Sequence, residues 1–323
     1  MSFRDQHALP GPAVDPFDRF QALFEALQAR GGDPDSLRLV AITLLGMAGE
    51  PDAIVARVLA CDGQLAQRFG WWSSTSSDTR RVLASQLVKA DDRADAFLAE
   101  VDRVGALFRA MGVRRGGVYE TLAVLVLRRT LGGAPATRAH AERFAAIYRE
   151  MKRHHWWLTG PEDFPACAML VGSHADPVAI GRGIEAIYRA LHERAALWQG
   201  DALQTAANIL YLSNLGAHEI ADRFALIVQQ FRAAGAKIGQ QEYDDLAILC
   251  FLALPVERIV ATVIAIRDRL TARRWWSRRG NLGLATNLAF VPLAGEDGAL
   301  GPLADAKLLL DIQALVAARQ SSG

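Results

Sequence analysis

Seven times along this chain an acidic, hydroxyl or amide residue opens a strongly apolar stretch, and the openings recur at roughly 36 to 44 residues, a spacing that matches two-helix repeat units. The stretches are DSLRLVAITLL from Asp35–Ser36, DTRRVLASQLV from Asp78–Thr79, ETLAVLVLRR from Glu120 and EDFPACAMLVG from Glu162–Asp163. DALQTAANILYL from Asp201, DDLAILCFLAL from Asp244–Asp245 and NLGLATNLAF from Asn281 complete the set. Each is followed by a turn bearing Gly, Pro or Asp, such as GMAGEPD or LGGAPAT, and then by a longer amphipathic segment such as VERIVATVIAIRDRLTARR. The first helix of each unit is apolar around most of its girth and should be sandwiched, whereas the second shows one polar face and should look outward.

Helical spacing dominates the rest of the chain. DRFQALFEALQAR (18–30) sets Phe20, Leu23, Phe24 and Leu27 on one stripe, and ERFAAIYREMKRH (142–154) does the same with Phe144, Ile147, Tyr148 and Met151. No run of β-branched residues alternates strictly, so strands are not expected. The expected fold is all-α: helical hairpin repeats of about 40 residues stacked as an α-solenoid of the HEAT or armadillo size class, with strong curvature left open. A flexible N-terminus over 1–16 would precede one repeat domain over 17–320, made of a leading helix and seven helix pairs. With 323 residues and 51% hydrophobic composition, the chain can bury a large core.

A net charge of +1 argues against a global field for nucleic acid or an anionic membrane. Cys61, Cys167 and Cys250 are scattered through apolar runs and read as free buried thiols in a reducing compartment. The N-terminus has no basic start and apolar core of a signal peptide, and LAILCFLALPV (246–256) is too short to span a bilayer. The expectation is a cytoplasmic protein without a membrane segment.

Six of the seven tryptophans stand in adjacent pairs, Trp71–Trp72, Trp156–Trp157 and Trp275–Trp276. Each pair falls at the end of an outward helix, five to six residues before the next opening. The equivalent crossings read GVRRGG (112–117), ALWQGD (196–201) and AKIGQQEYDD (236–245). One edge of the stack therefore gathers Trp together with Arg68, Arg114, Arg115, Lys152, Arg153, Lys237, Arg273, Arg274, Arg278 and Arg279. Cations at helix C-termini and acids at the following N-termini would complement the helix dipoles. Two adjacent Trp cannot fill one groove, so one ring of each pair should be partly exposed. The expected binding edge comprises Trp71, Trp72, His154, His155, Trp156, Trp157, Glu162, Asp163, Arg274, Trp275 and Trp276.

The segment KRHHWWLTGPEDFPACAMLV resembles the signature segment of an uncharacterised bacterial family, domain-of-unknown-function family 4003. The resemblance maps onto His155, Trp157, Leu158, Thr159, Glu162, Asp163, Phe164 and Pro165. It implies an all-helical fold and bacterial origin, and carries over no catalytic residue.

No phosphate-binding Gly loop, HExxH or nucleophile elbow is present. GRG at 181–183 lacks a third Gly and reads as a turn or helix start. GSHAD (172–176) packs Ser173, His174 and Asp176 too closely to aim at one another as a triad. His154 and His155 point about 100° apart on a helix, which argues against a shared metal with Glu162, Asp163 and His174. Neither cofactor nor metal is expected. Ser85, Asn208 and Asn287 sit at similar depth in their apolar helices, as hydrogen bonds between stacked helices would require.

Three functional readings remain. A non-catalytic protein-interaction module using the Trp/Arg edge leads. The second is a small-molecule site, carbohydrate in type, or an enzyme, in which Glu120, Asp163, Asp201 and Asp245 converge at the mouth of a closed α/α ring. The third is nucleic-acid binding through ARRWWSRRGN, which the balanced overall charge disfavours.

Overall fold

The structure is a computed structural model that describes residues 15–69, 77–154, 160–213, 215–272 and 280–294. Among the described residues there are fourteen α-helices and no strand. They are α1 (Pro16–Gln28), α2 (Pro34–Thr43), α3 (Pro51–Phe69), α4 (Ser77–Lys89), α5 (Ala94–Ala110), α6 (Val118–Thr130) and α7 (Arg138–His154). The second half holds α8 (Phe164–Leu170), α9 (Pro177–Arg194), α10 (Asp201–Tyr211), α11 (Ala217–Ala233), α12 (Tyr243–Leu249), α13 (Val256–Ala272) and α14 (Gly280–Ala294). Short 3-10 turns, Pro161–Asp163 and Gln240–Glu242, lead into α8 and α12.

Helix starts are written locally. Three Asp-Pro pairs place Pro at the first helical position, where its missing N–H costs nothing, behind an Asp cap. Asp15 accepts from Phe17 N at 2.8 Å, Asp33 from Ser36 N at 3.0 Å and Asp176 from Val178 N at 2.9 Å. All seven sequence openings fall in the first turn of an even-numbered helix or in the 3-10 turn before it. The capping detail differs from expectation. Asp33, not Asp35, caps α2, while α6 and α10 begin behind Gly117 and Gly200 with no side-chain cap.

The two kinds of helix are buried as their patterns require. Ten consecutive residues of α6, Val118 to Leu127, are buried, whereas α1 buries the stripe Phe17, Phe20, Leu23, Phe24 and Leu27. Within the even series α2 packs on α4, α6 on α8, α8 on α10, α10 on α12 and α12 on α14. Arg129 of α6 joins α4 by donating to the carbonyl of Gln86 at 2.9 Å. Within the odd series each helix from α1 to α11 packs on the next odd-numbered one. One continuous apolar cluster runs from Phe17 to Ala294. Near its middle Phe144 stacks on Phe108 at 4.2 Å and meets Phe164 edge-on at 5.5 Å.

Half-buried guanidinium forks tie helices to the turns beside them. Arg19 of α1 donates to the carbonyls of Met47 (2.8 Å) and Gly49 (2.6 Å) in the α2–α3 turn. Arg143 of α7 donates to Val171 (3.0 Å), Ser173 and Ala175 (2.7 Å) in the α8–α9 turn. Arg223 of α11 donates to Cys250 (2.8 Å), Leu252 and Leu254 (3.2 Å) in the α12–α13 turn. Each fork bonds two or three carbonyls of the turn that follows an even helix, a spread that suits the planar guanidinium better than an ammonium.

The first and last of the described helices meet. α1 packs on α14, and Arg269 of α13 donates to Asp15 at 2.8 Å and Asp18 at 3.4 Å while its guanidinium lies 4.3 Å from the Phe17 ring centre.

Candidate functional site

The crossings from each odd helix to the next even one carry the residues expected to bind. Trp71, Trp72, His155, Trp156, Trp157, Arg274, Trp275 and Trp276 lie outside the described residues, as do Arg273, Arg278 and Arg279. His154 closes α7. Glu162 and Asp163 form the 3-10 turn before α8, and the cations Arg114, Arg115, Lys152, Arg153 and Lys237 are all exposed.

A recurring local device shapes these crossings. Asp163 Oδ2 accepts from Gly160 N at 3.1 Å, and Glu242 Oε2 accepts from Gly239 N at 2.7 Å. Glu120 Oε2 accepts from Gly116 N at 3.1 Å, and its other oxygen accepts from Arg109. The acids therefore reach back to a glycine N–H upstream instead of capping the helix ahead. Gly116 is required there for space: a Cβ would come within 2.5 Å of the Phe164 ring. The sequence signal of the device is Gly-x-x-acid, in GPED and GQQE.

Asp163 is 7% exposed, and burial, with Glu162 and Asp201 nearby, pushes its carboxyl up to about 8 against the opposing hydrogen bond from Gly160. Burial likewise raises the Tyr148 phenol to about 12 and holds the Cys167 thiol well above its usual range. Cys167 lies 3.4 Å from Met151 sulfur. Phe164, the residue after Asp163, is edge-on to Tyr148 at 5.1 Å. The PEDFP segment thus seats an uncharged acid at neutral pH on an aromatic hub. Such a group can donate a proton or a hydrogen bond.

The seventh tryptophan, Trp198, stands alone in the ALWQGD crossing and outside the edge expected from the pairs. Trp198 is 75% exposed, and the backbone that carries it is held from three sides. Trp198 N donates to the Tyr243 hydroxyl at 3.1 Å, Gly200 N to the Tyr188 hydroxyl at 3.1 Å, and His192 Nδ1 to the Leu197 carbonyl at 2.8 Å. Gly200 has φ +137°, a backbone that side chains resist. The ring is presented on a fixed platform instead of being tucked into the core.

The model of a family described as "Protein of unknown function (DUF4003)" matches residues 114–321, from the α5–α6 crossing onward. The chain belongs to the DUF4003 family. The "Uncharacterized protein YeaA" of Bacillus subtilis (strain 168) is 26% identical over 237 residues, covering 69% of this chain and 68% of that protein. No solved structure matches. The DUF4003 match includes the KRHHWWLTGPEDFPACAMLV segment, the Trp198 platform and both glycine-to-acid turns before α8 and α12.

Other sequence candidates resolve into structure. Asp176 caps α9, Ser173 Oγ accepts from Ala175 N at 3.2 Å, and His174 is exposed, so GSHAD is a helix-entry turn. GRG (181–183) lies inside α9, not at a turn or helix start, and Gly183 admits the Tyr211 ring. Ser85 bonds the Val82 carbonyl, Asn208 accepts from Gln204, and Asn287 donates to the Gly283 carbonyl, each within its own helix. Bonds between even helices are made by Gln86, which donates to Thr43 at 3.2 Å, and by Arg129. Among the described residues no group of three or more His, Cys, Asp or Glu is placed to hold a metal, and no helix is long and apolar enough to cross a membrane.

Proposed function

We propose that this chain is a non-catalytic protein-binding module whose contact surface is the edge of odd-to-even crossings. The observation that carries the reading is Trp198, three-quarters exposed on a backbone pinned by Tyr188, Tyr243 and His192. A large aromatic that is fixed before binding loses little entropy on contact, and Trp is the residue most enriched among energetic anchors of interfaces. The paired tryptophans belong to the same edge in this reading, together with His154, His155, Glu162, Asp163 and Arg274. Residues 17–320 are taken as one helical-repeat domain, supported by the continuous core and the recurring Arg forks. The cytoplasm is the compartment that fits its free thiols.

The test is affinity capture from a lysate of the source organism with the native chain, Trp198→Ala and Trp157→Ala/Trp276→Ala side by side. A specific protein captured by the native chain should be lost from both variants, while the Trp198→Ala melting temperature stays unchanged because the ring buries little. Undiminished capture by both variants would sink the proposal.

A second reading has its own support. The packing of α1 on α14 and the Arg269 contacts to α1 favour a closed ring, and the raised Asp163 carboxyl beside Glu162 and Asp201 suits acid–base work on a small, carbohydrate-type ligand. The interior argues against a ligand there. Buried oxygens of Gln86, Thr121, Gln204 and Thr286 on the even helices are sealed from solvent, so the site of this reading would be the mouth and not a lumen.

A further inference from the structure

The crossings on either side of Trp198 differ from its own in charge. Contacts set them side by side. The Phe164 ring at the start of α8 closes on Gly116, Asp163 is near enough to Asp201 to feel its charge, and Trp198 N reaches the Tyr243 hydroxyl. On one flank of Trp198 stand Arg114, Arg115 and Lys152, and on the other Arg232 and Lys237. All five are exposed, and none makes an ion pair with a described residue. Their neighbours Arg153 and Arg194 are committed, to Glu150 and Asp222.

The acids that should offset these cations are mostly turned inward. Odd helices end at this edge and even helices begin there, so cations and first-turn acids are both favoured by the helix dipoles. Yet Glu120, Asp163, Glu242 and Asp245 are buried, and the first three accept from a glycine N–H upstream. Of the remaining acids Glu162 is exposed on the flank before Trp198, and Asp244 is half-buried on the flank after it. Glu193 and Asp201 are exposed on the Trp198 crossing itself. The surface thus runs from free cations, to an exposed indole with acids beside it, to free cations again. The chain's overall charge balance conceals this order.

We propose that the partner of this edge is an acidic segment of another protein, with an apolar residue against the Trp198 ring and carboxylates facing the cations on both flanks. The proposal rests on reading the edge as a protein-binding surface. A nucleic-acid strand is charged at every phosphate and would meet Glu193 and Asp201 beside the ring, whereas a peptide can place a neutral residue there. Exposed charge pairs govern partner choice and are screened by salt, so salt dependence belongs to the signature.

The experiment is fluorescence anisotropy of the full chain with a labelled peptide that has Leu-Phe at its centre and a run of Glu and Asp on each side. It should bind saturably, at least about tenfold more tightly than its Gln/Asn counterpart, and weaken as NaCl rises from about 50 to about 300 mM. Arg115→Glu/Lys152→Glu and Lys237→Glu should each weaken it at least about fivefold at an unchanged melting temperature, and Arg115→Gln/Lys152→Gln should act in the same direction. Arg138→Glu, at the other end of α7, should not. Equal binding of the Gln/Asn peptide, undiminished binding by the flank variants, or tighter binding of a thymidine oligonucleotide overturns the acidic partner. Peptide binding untouched by Trp198→Ala overturns the contact at the ring. A lysate protein lost from Trp198→Ala but fully captured by the flank variants also overturns the acidic partner, and leaves the protein-binding edge standing.

Discussion

Replacing Asp163 by Asn should make the protein more stable at alkaline pH and leave it little changed at acid pH. The folded carboxyl sits at about 8 and the ordinary value is 3.8, because burial, with Glu162 and Asp201 nearby, outweighs the hydrogen bond from Gly160. Below pH 4 the acid holds its proton in both folded and unfolded chains, so it contributes no pH dependence. Between pH 4 and 8 the unfolded chain has released the proton and the folded chain has kept it, so stability falls as pH rises. Above 8 both forms are charged and the loss stops growing. A shift of this size corresponds to on the order of 4–5 kcal/mol lost between pH 4 and pH 8, a large share of a typical domain's stability. Tyr148, pushed up to about 12, and Cys167, held well above its usual range, stay out of this window. The amide introduced by Asp163→Asn keeps an acceptor for Gly160 N–H and never charges. Urea unfolding of both chains at pH 4, 6, 8 and 9 gives the difference directly, with other titrations largely cancelling. The advantage of Asp163→Asn should grow through pH 8 and then level off. A difference flat within about 1 kcal/mol, or one that favours the native chain as pH rises, would show that Asp163 is charged in the fold.

Three further perturbations test the scaffold. Arg223→Ala strips donors from the carbonyls of Cys250, Leu252 and Leu254 and should cost about 2–3 kcal/mol in denaturant unfolding, with Arg223→Lys recovering only part. Glu242→Ala removes the acceptor for Gly239 N–H and Gln241 Nε2 from a residue only 3% exposed, and should cost about 1–3 kcal/mol, while Glu242→Gln restores most of it. Arg269→Ala releases half-exposed ion pairs and a cation–π contact, so about 1 kcal/mol is expected, with faster amide exchange confined to α1. Exchange that quickens equally throughout would refute a local role at the α1–α13 contact.

Local chemistry and spacing were enough to read the helices from the sequence. Asp15-Pro16, Asp33-Pro34 and Asp176-Pro177 start helices because Pro fixes φ and Asp supplies the missing acceptor. Stripes such as Phe20, Leu23, Phe24 and Leu27 can be buried together only on a helix, and the seven apolar openings followed from the same period. The packing of α1 on α14 was beyond reach, since it joins helices at opposite ends of the described chain and no local segment encodes such a contact. So was the state of Asp163: its place before an apolar helix suggested a charged cap, but three-dimensional burial beside Glu162 and Asp201 decides that it holds its proton. Trp198 shows the division most plainly. Sequence put it at a crossing, and only the Tyr188 and Tyr243 hydroxyls, brought from 10 residues before and 45 residues after it, turn that crossing into a platform facing solvent.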